Sequence, residues 1–127
     1  MSTDNVKFSN IFNKTFSDFL ADLVVAYPSD PDFKTFKHSF NILKSVDQFK
    51  GIKTFKKYVI EYRKQIVEKD SDFFMKEDFK NVAAEKQDVT NELISKLKNY
   101  WTSMSEDNKE SVWGYLLVLL KTSDRYT

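Results

Sequence analysis

At 127 residues the chain has room for one domain, and 41% hydrophobic and 16% aromatic residues at a net charge of +1 supply enough core material to exclude disorder. Two Gly and two Pro are too few for the tight turns of a sandwich or barrel, and the absence of Cys excludes disulfides, a thiolate nucleophile and a Cys-based zinc site. The first residues lack the basic-then-apolar order of a secretory signal, and the longest near-continuous apolar run, residues 112–120, falls short of the ~20 that a membrane span needs.

The first periodic segment sets Phe8, Ile11, Phe12, Phe16, Phe19, Leu20, Leu23 and Tyr27 at helical spacing, with Asp18 and Asp22 on the outer face. Asp4 is its expected N-cap, and Pro28 ends it at about Ala26. Asp30, Pro31 and Asp32 then form a helix start: a capping carboxylate, a preset first φ and an acid on the positive end of the dipole. Phe33, Phe36, Phe40 and Leu43 carry this second helix to about Ser45. Asp47 and Gly51 read as a break. Beyond them Ile52, Phe55, Val59, Tyr62 and Ile66 make a strict seam, which predicts one long helix ending near Lys69.

The stretch 70–79 (DSDFFMKEDF) reads as a connector whose Phe residues plug the core from a turn or a short helix, and 80–85 carry little signal. Val89, Leu93, Ile94, Leu97, Tyr100, Trp101 and Met104 define a fourth helix. Ser105 is the N-cap of a fifth, with Glu106 and Asp107 in its first turn. That last helix is apolar nearly all round over residues 112–120, which predicts the central, most buried helix, with Gly114 allowing a close backbone approach. The expected fold is therefore all-α: a single domain over 1–127, a compact bundle of about five amphipathic helices with an aromatic-rich core, and disordered ends at 1–4 and 123–127.

Near-neutral net charge conceals a division along the chain. Residues 33–69 carry ten basic side chains against three acidic ones, while both flanks are acidic in balance. Lys34, Lys37, Lys53, Lys56, Lys57, Arg63 and Lys64, extended by Lys44 and Lys50, form a candidate basic contact surface on the second and third helices. Such a stripe reads three ways: as a solvated face, as a dock for an acidic protein surface (another copy's acidic flank included), or as a phosphate-neutralising track on nucleic acid. Lysine outnumbers arginine nine to one in this segment, whereas bidentate phosphate recognition favours arginine.

Catalytic candidates are few. His38 is the only histidine and lies among Lys34, Lys37 and Lys44; general-base chemistry needs a positioned partner that no neighbour supplies, so a solvated residue is the plainer reading. Asp70 and Asp72 match the first two positions of a calcium loop, but position five is Phe74 and the turn glycine is missing. Capping of a short helix explains Asp70, Asp72, Glu77 and Asp78 better. Two isolated glycines cannot make a phosphate loop. No catalytic residue, metal ligand or cofactor is assigned, and a non-enzymatic protein is expected. Twenty aromatics are more than a small bundle must bury, so Tyr58, Tyr62, Tyr100, Tyr115 or Tyr126 could serve an interface.

Three blocks, residues 12–40 (FNKTFSDFLADLVVAYPSDPDFKTFKHSF), 70–79 and 100–120 (YWTSMSEDNKESVWGYLLVLL), in this order and spacing resemble small all-helical proteins encoded by large DNA viruses of algae, of the phycodnavirus and giant-virus type. Trp101, Trp113, Tyr115, Leu116 and Leu119 occupy the aromatic ending of that pattern, and the resemblance covers most of the chain. It carries over no catalytic residue and no cofactor. It implies a protein that works by contact, located in the virion or in the cytoplasm of an infected host cell. The implied roles are a virion-associated or minor capsid component and an adaptor or inhibitor of host proteins. A nucleic-acid-associated accessory protein using the lysine face is the alternative from a different class.

Overall fold

A computed structural model of the chain describes residues 3–78 and 90–127, and every regular element among them is helical. In order they are α1 (Thr3–Ala26), α2 (Pro31–Val46), α3 (Lys50–Val59), a 3-10 turn (Ile60–Tyr62), α4 (Arg63–Val67), α5 (Ser71–Lys76), α6 (Thr90–Trp101) and α7 (Glu106–Arg125). The all-α bundle with an aromatic core is thus the fold. The weakly patterned stretch 80–85 and the start of the fourth helix at Val89 lie outside the described residues.

Capping side chains set several boundaries. Asp30 accepts from the Asp32 backbone N–H at 3.0 Å, with Pro31 in the first turn of α2. Asp70 accepts from Phe73 N–H at 3.0 Å to start α5, and Ser105 from Asn108 N–H at 3.1 Å to start α7. Each satisfies an amide that the helix itself leaves unpaired. Asp4 differs from expectation. It lies inside the first turn of α1 rather than before it, where its charge still complements the dipole.

α1 and α7 run antiparallel. At one end the Thr127 N–H donates to Asn5 Oδ1 at 2.9 Å, and toward the other the Tyr115 hydroxyl donates to Asp22, with the Phe19 and Tyr115 rings 5.2 Å apart. α1 also packs on α2 and α3 and is the hub of the bundle. α7, expected to be the most buried helix, keeps one open face: Gly114 is exposed and Val118 is 44% exposed, because within residues 112–120 only Val112, Trp113, Leu119 and Leu120 are fully buried.

Two apolar clusters form the core. One gathers Phe19, Leu23, Phe33, Phe36, Leu97, Trp101 and Trp113; the other gathers Phe12, Ile52, Phe55, Ile66, Leu119 and Tyr126. Phe16 and Leu116 touch both. Burial of each large apolar side chain stabilises the fold by roughly 1.5–3 kcal/mol. Phe74 of α5 packs its ring 5.5 Å from Trp101 and 6.4 Å from Trp113, the plugging role expected of the connector.

Three further expectations are corrected. The long third helix is broken, since α3 ends at Val59 and tightens into the 3-10 turn before α4. Winding at about three residues per turn turns Tyr62 toward Phe73 of α5, at 5.8 Å, while Ile66 returns to the core. Gly51 does not break the chain either; it lies within α3, and a Cβ there would stand 3.2 Å from Phe12 Cε1 and 3.4 Å from Phe40 Cε1. The close approach foreseen at Gly114 is therefore at Gly51, and Gly114 meets nothing within 4 Å.

The C-terminal tail, expected to be disordered, is held. α7 runs to Arg125, Ser123 is fully buried with its hydroxyl donating to Leu120 C=O at 2.8 Å, and Tyr126 is 6% exposed. At the other end, Thr3 and Asp4 are helical and residues 1–2 lie outside the described residues.

Candidate functional site

The basic segment divides into two faces of α3 and α4. Lys50, Lys53 and Lys57 recur at helical spacing on the side opposite the buried Ile52 and Phe55, and Lys64 continues the exposed line past the 3-10 turn. Two of them lie beside aromatic rings: Lys53 Nζ is 6.0 Å from the Phe49 centroid and Lys57 Nζ is 4.9 Å from that of Tyr58. Glu61, also exposed, punctuates the line.

Lys56 and Arg63 face another way. The Lys56 ammonium donates to the Tyr126 carbonyl, and Arg63 forms a two-pronged pair with Asp124, one arm at 2.6 Å. The Asp124 carboxylate holds the guanidinium firmly in its charged form, and Arg63 in turn lowers the Asp124 pKa. Two members of the expected surface are therefore tied to the C-terminal end of α7, Arg63 while still exposed. Lys34 and Lys37 are on α2, the first exposed and the second half-buried. His38 is exposed on the same helix.

Asp70 caps α5, and among the described residues no group of three or more His, Asp or Glu side chains is arranged to hold an ion. A different charged cluster joins α2 to α6. Lys96 Nζ lies 2.9 Å from Asp30 and 2.8 Å from Asp32, and the Tyr100 hydroxyl donates to Asp30 at 2.6 Å. These hydrogen bonds hold the Asp30 carboxyl down at about 2. The Tyr27 and Tyr100 rings stack at 4.1 Å beneath it. This cluster, which spans about seventy positions of sequence, ties two helices together and leaves its carboxylates occupied.

A feature with no counterpart in the sequence reading is a partly open apolar pocket of about 140 Å³ where the two core clusters meet. Phe19, Phe55, Phe74, Leu97 and Trp113 contribute to its walls, one each from α1, α3, α5, α6 and α7. Tyr62, Gln65 and Asp70 are among the lining residues, but the surface the pocket presents is apolar. Asp70 is engaged as the α5 cap, but Gln65 Oε1 is buried with no hydrogen-bond partner among the described residues. No local pattern announces this residue, because the walls are assembled from positions far apart in the chain.

Among the described residues no helix is long and apolar enough to cross a membrane. Comparison with protein-family models, with curated proteins and with solved structures returns no match for this chain.

Proposed function

We propose that the chain is a non-enzymatic contact module that docks through the lysine stripe of α3 and α4 onto an acidic protein surface. The observation that carries this reading is the split of the basic segment: Lys50, Lys53 and Lys64 are exposed on the side away from the core, whereas Arg63, the one arginine of residues 33–69, is paired with Asp124. The fork best suited to phosphate is thereby occupied, and the exposed stripe is made of point-charge ammonium groups on flexible stems, which suit carboxylates. That arrangement favours protein over nucleic acid as the partner. A second copy, through its acidic flanks, is one such protein.

The resemblance to algal-virus proteins suggests the concrete forms: a virion-associated or minor capsid component, or an adaptor or inhibitor of host proteins in infected cytoplasm. What supports these is the three sequence blocks. Particle fractionation separates them, since a protein absent from purified virions is not a capsid component.

The docking test compares wild type with the K53E/K57E/K64E variant in affinity capture from the native source at about 50 and 300 mM salt, on either side of the screening range for exposed charges. A partner retained by wild type at the lower salt and lost by the variant is the expected result. Equal retention by both proteins removes the reading. Nucleic acid in the eluate, with a steep salt dependence of binding, replaces it with the accessory-protein alternative.

A further inference from the structure

We infer that the chain pairs with a second copy of itself through the outer sides of α1 and α7, with like helices antiparallel about a two-fold axis near Gly114. This goes beyond the docking reading, since the face contains none of the stripe lysines. Three observations argue for it.

The first is the distribution of charge. Because α1 and α7 run antiparallel, residues from opposite ends of the chain meet at each end of the face. At one end lie Asp107, in the first turn of α7, and Asp22, which accepts from the Tyr115 hydroxyl and shares a shallow cleft with Asn108 and Ser111. Neither has a cation partner among the described residues, whereas the neighbouring acids do: Asp18 pairs with Lys14 at 2.9 Å, Glu106 with Lys109 at 3.5 Å and Glu110 with Lys69 at 2.8 Å. At the other end Lys7, Lys121 and Arg125 are exposed, with no carboxylate partner among the described residues and Asp4 offsetting one of them. The Arg125 guanidinium stands 5.5 Å from the Phe8 ring, which ties α7 to α1 there. An isologous contact sets the same patch of both copies together. Laid with like helices parallel, this face sets acid on acid and base on base. Turned end for end, it sets Asp107 against Lys121 and Arg125, and Asp22 against Lys7. Only the second arrangement attracts.

The second is the middle of the face. Gly114 is seven residues from Asp107 and seven from Lys121, at the centre of the pattern. It is exposed, and a Cβ there would meet nothing within 4 Å among the described residues. Glycine inside a helix is a destabilising choice, and the packing of one chain makes no use of it. A helix of a second copy crossing at this point does, because the missing Cβ lets the two backbones approach. Val118, one turn on, and Ile11 of α1 are 44% and 40% exposed, and pairing covers both.

The third is area. α7 is 20 residues long, so α1 and α7 side by side offer a face of about 30 by 20 Å, at ~1.5 Å per residue and ~10 Å per helix. Covering it on both copies removes roughly 1,200 Å² from water, the lower edge of the range for specific pairs. A modest, salt-sensitive dimer follows.

Sedimentation of the full chain over a series of protein concentrations tests this, at about 50 and 500 mM salt. A monomer–dimer equilibrium that weakens at the higher salt is expected. Asp107→Lys and Lys121→Glu should each weaken pairing at least about tenfold, by setting like charges together. An equimolar mixture of the two variants should recover it as a heterodimer, because every contact then joins opposite charges. Gly114→Leu, which touches nothing in its own chain, should leave the circular dichroism unchanged and abolish the dimer. The stripe variant K53E/K57E/K64E should pair like wild type. Its failure to pair would place the second copy on the stripe, overturning this proposal while leaving the docking reading in force. A wild type that stays monomeric at every concentration overturns it too, as does a dimer that Gly114→Leu retains or a variant mixture that does not associate.

Discussion

The Tyr100 hydroxyl reaches across the bundle to hydrogen-bond the Asp30 carboxylate at 2.6 Å, so the residue that caps α2 also anchors the last turn of α6. Lys96 completes the arrangement from one turn earlier. A cap ordinarily acts on its own helix alone. Here it couples two helices through one ionised group.

The coupling has a pH signature. The Tyr100, Lys96 and Asp32 hydrogen bonds hold the Asp30 pKa at about 2, below its ordinary value near 4. A depressed carboxylate contributes stability above its unfolded pKa, and that contribution is lost as pH falls from about 4 through about 2. Urea unfolding of wild type and Asp30→Asn should therefore differ at neutral pH and converge toward pH 2. Asparagine retains the cap while discarding the charge. Parallel pH profiles for the two proteins would show that the carboxylate carries no linked stability.

The two glycines should respond oppositely to alanine. Gly114 lies in the interior of α7, exposed, with nothing within 4 Å of a built Cβ. Gly114→Ala removes backbone entropy from the unfolded chain and should add about 1 kcal/mol of stability. At Gly51 the same methyl meets the Phe12 and Phe40 rings at 3.2 and 3.4 Å. Gly51→Ala should forfeit that gain, and stability should fall by up to about 1 kcal/mol as the rings shift. Chemical denaturation of the two variants side by side is the check.

What was legible in the sequence was what is local. Asp30 with Pro31, and Ser105 with two acids behind it, mark helix starts within four residues, and Phe33, Phe36 and Phe40 mark a buried face by spacing alone. The 3-10 turn at Ile60–Tyr62 was not legible, because the seam 52–66 has the same spacing whether or not the helix tightens to bring Tyr62 to Phe73. The roles of the glycines were misread for a related reason. An exposed glycine and one pressed against two Phe rings look alike until distant helices are assembled. The basic residues could be named, but not sorted. Nothing near Arg63 reveals that Asp124, 61 positions on, would claim it, and nothing near Gln65 reveals a pocket.

Lys69 is the position where a glycine is missing. It has φ 54°, the left-handed region, and it follows α4 in a paired termination: its N–H donates to Ile66 C=O at 3.1 Å, and the next N–H, of Asp70, donates to Gln65 C=O at 2.9 Å. Helices that end this way usually place glycine at the left-handed residue. A lysine there costs roughly 1 kcal/mol of conformational energy. The Lys69–Glu110 ion pair at 2.8 Å is exposed on both sides and offsets little of it. Lys69→Gly should therefore stabilise the protein by about 0.5–1 kcal/mol, read from the urea midpoint. A destabilised variant would mean that the surface pair outweighs the backbone strain.

Tyr126 separates the contribution of its ring from that of its hydroxyl. The ring is 6% exposed, packs 6.2 Å from Phe49 and belongs to the cluster of Phe12, Ile52 and Leu119. Its main chain is fixed as well, through the N–H to Ser123 C=O and the carbonyl that accepts from Lys56. The hydroxyl is buried and has no partner among the described residues, so it adds desolvation cost without a compensating bond. Tyr126→Phe keeps the packing and removes that cost, which should raise stability by about 1 kcal/mol. Tyr126→Ala empties the site and should lower it by about 3 kcal/mol. If the tail frayed in solution, as its polar sequence first suggests, both substitutions would leave the urea midpoint where it is. Opposite shifts of the predicted sizes would establish that the last residues are part of the core.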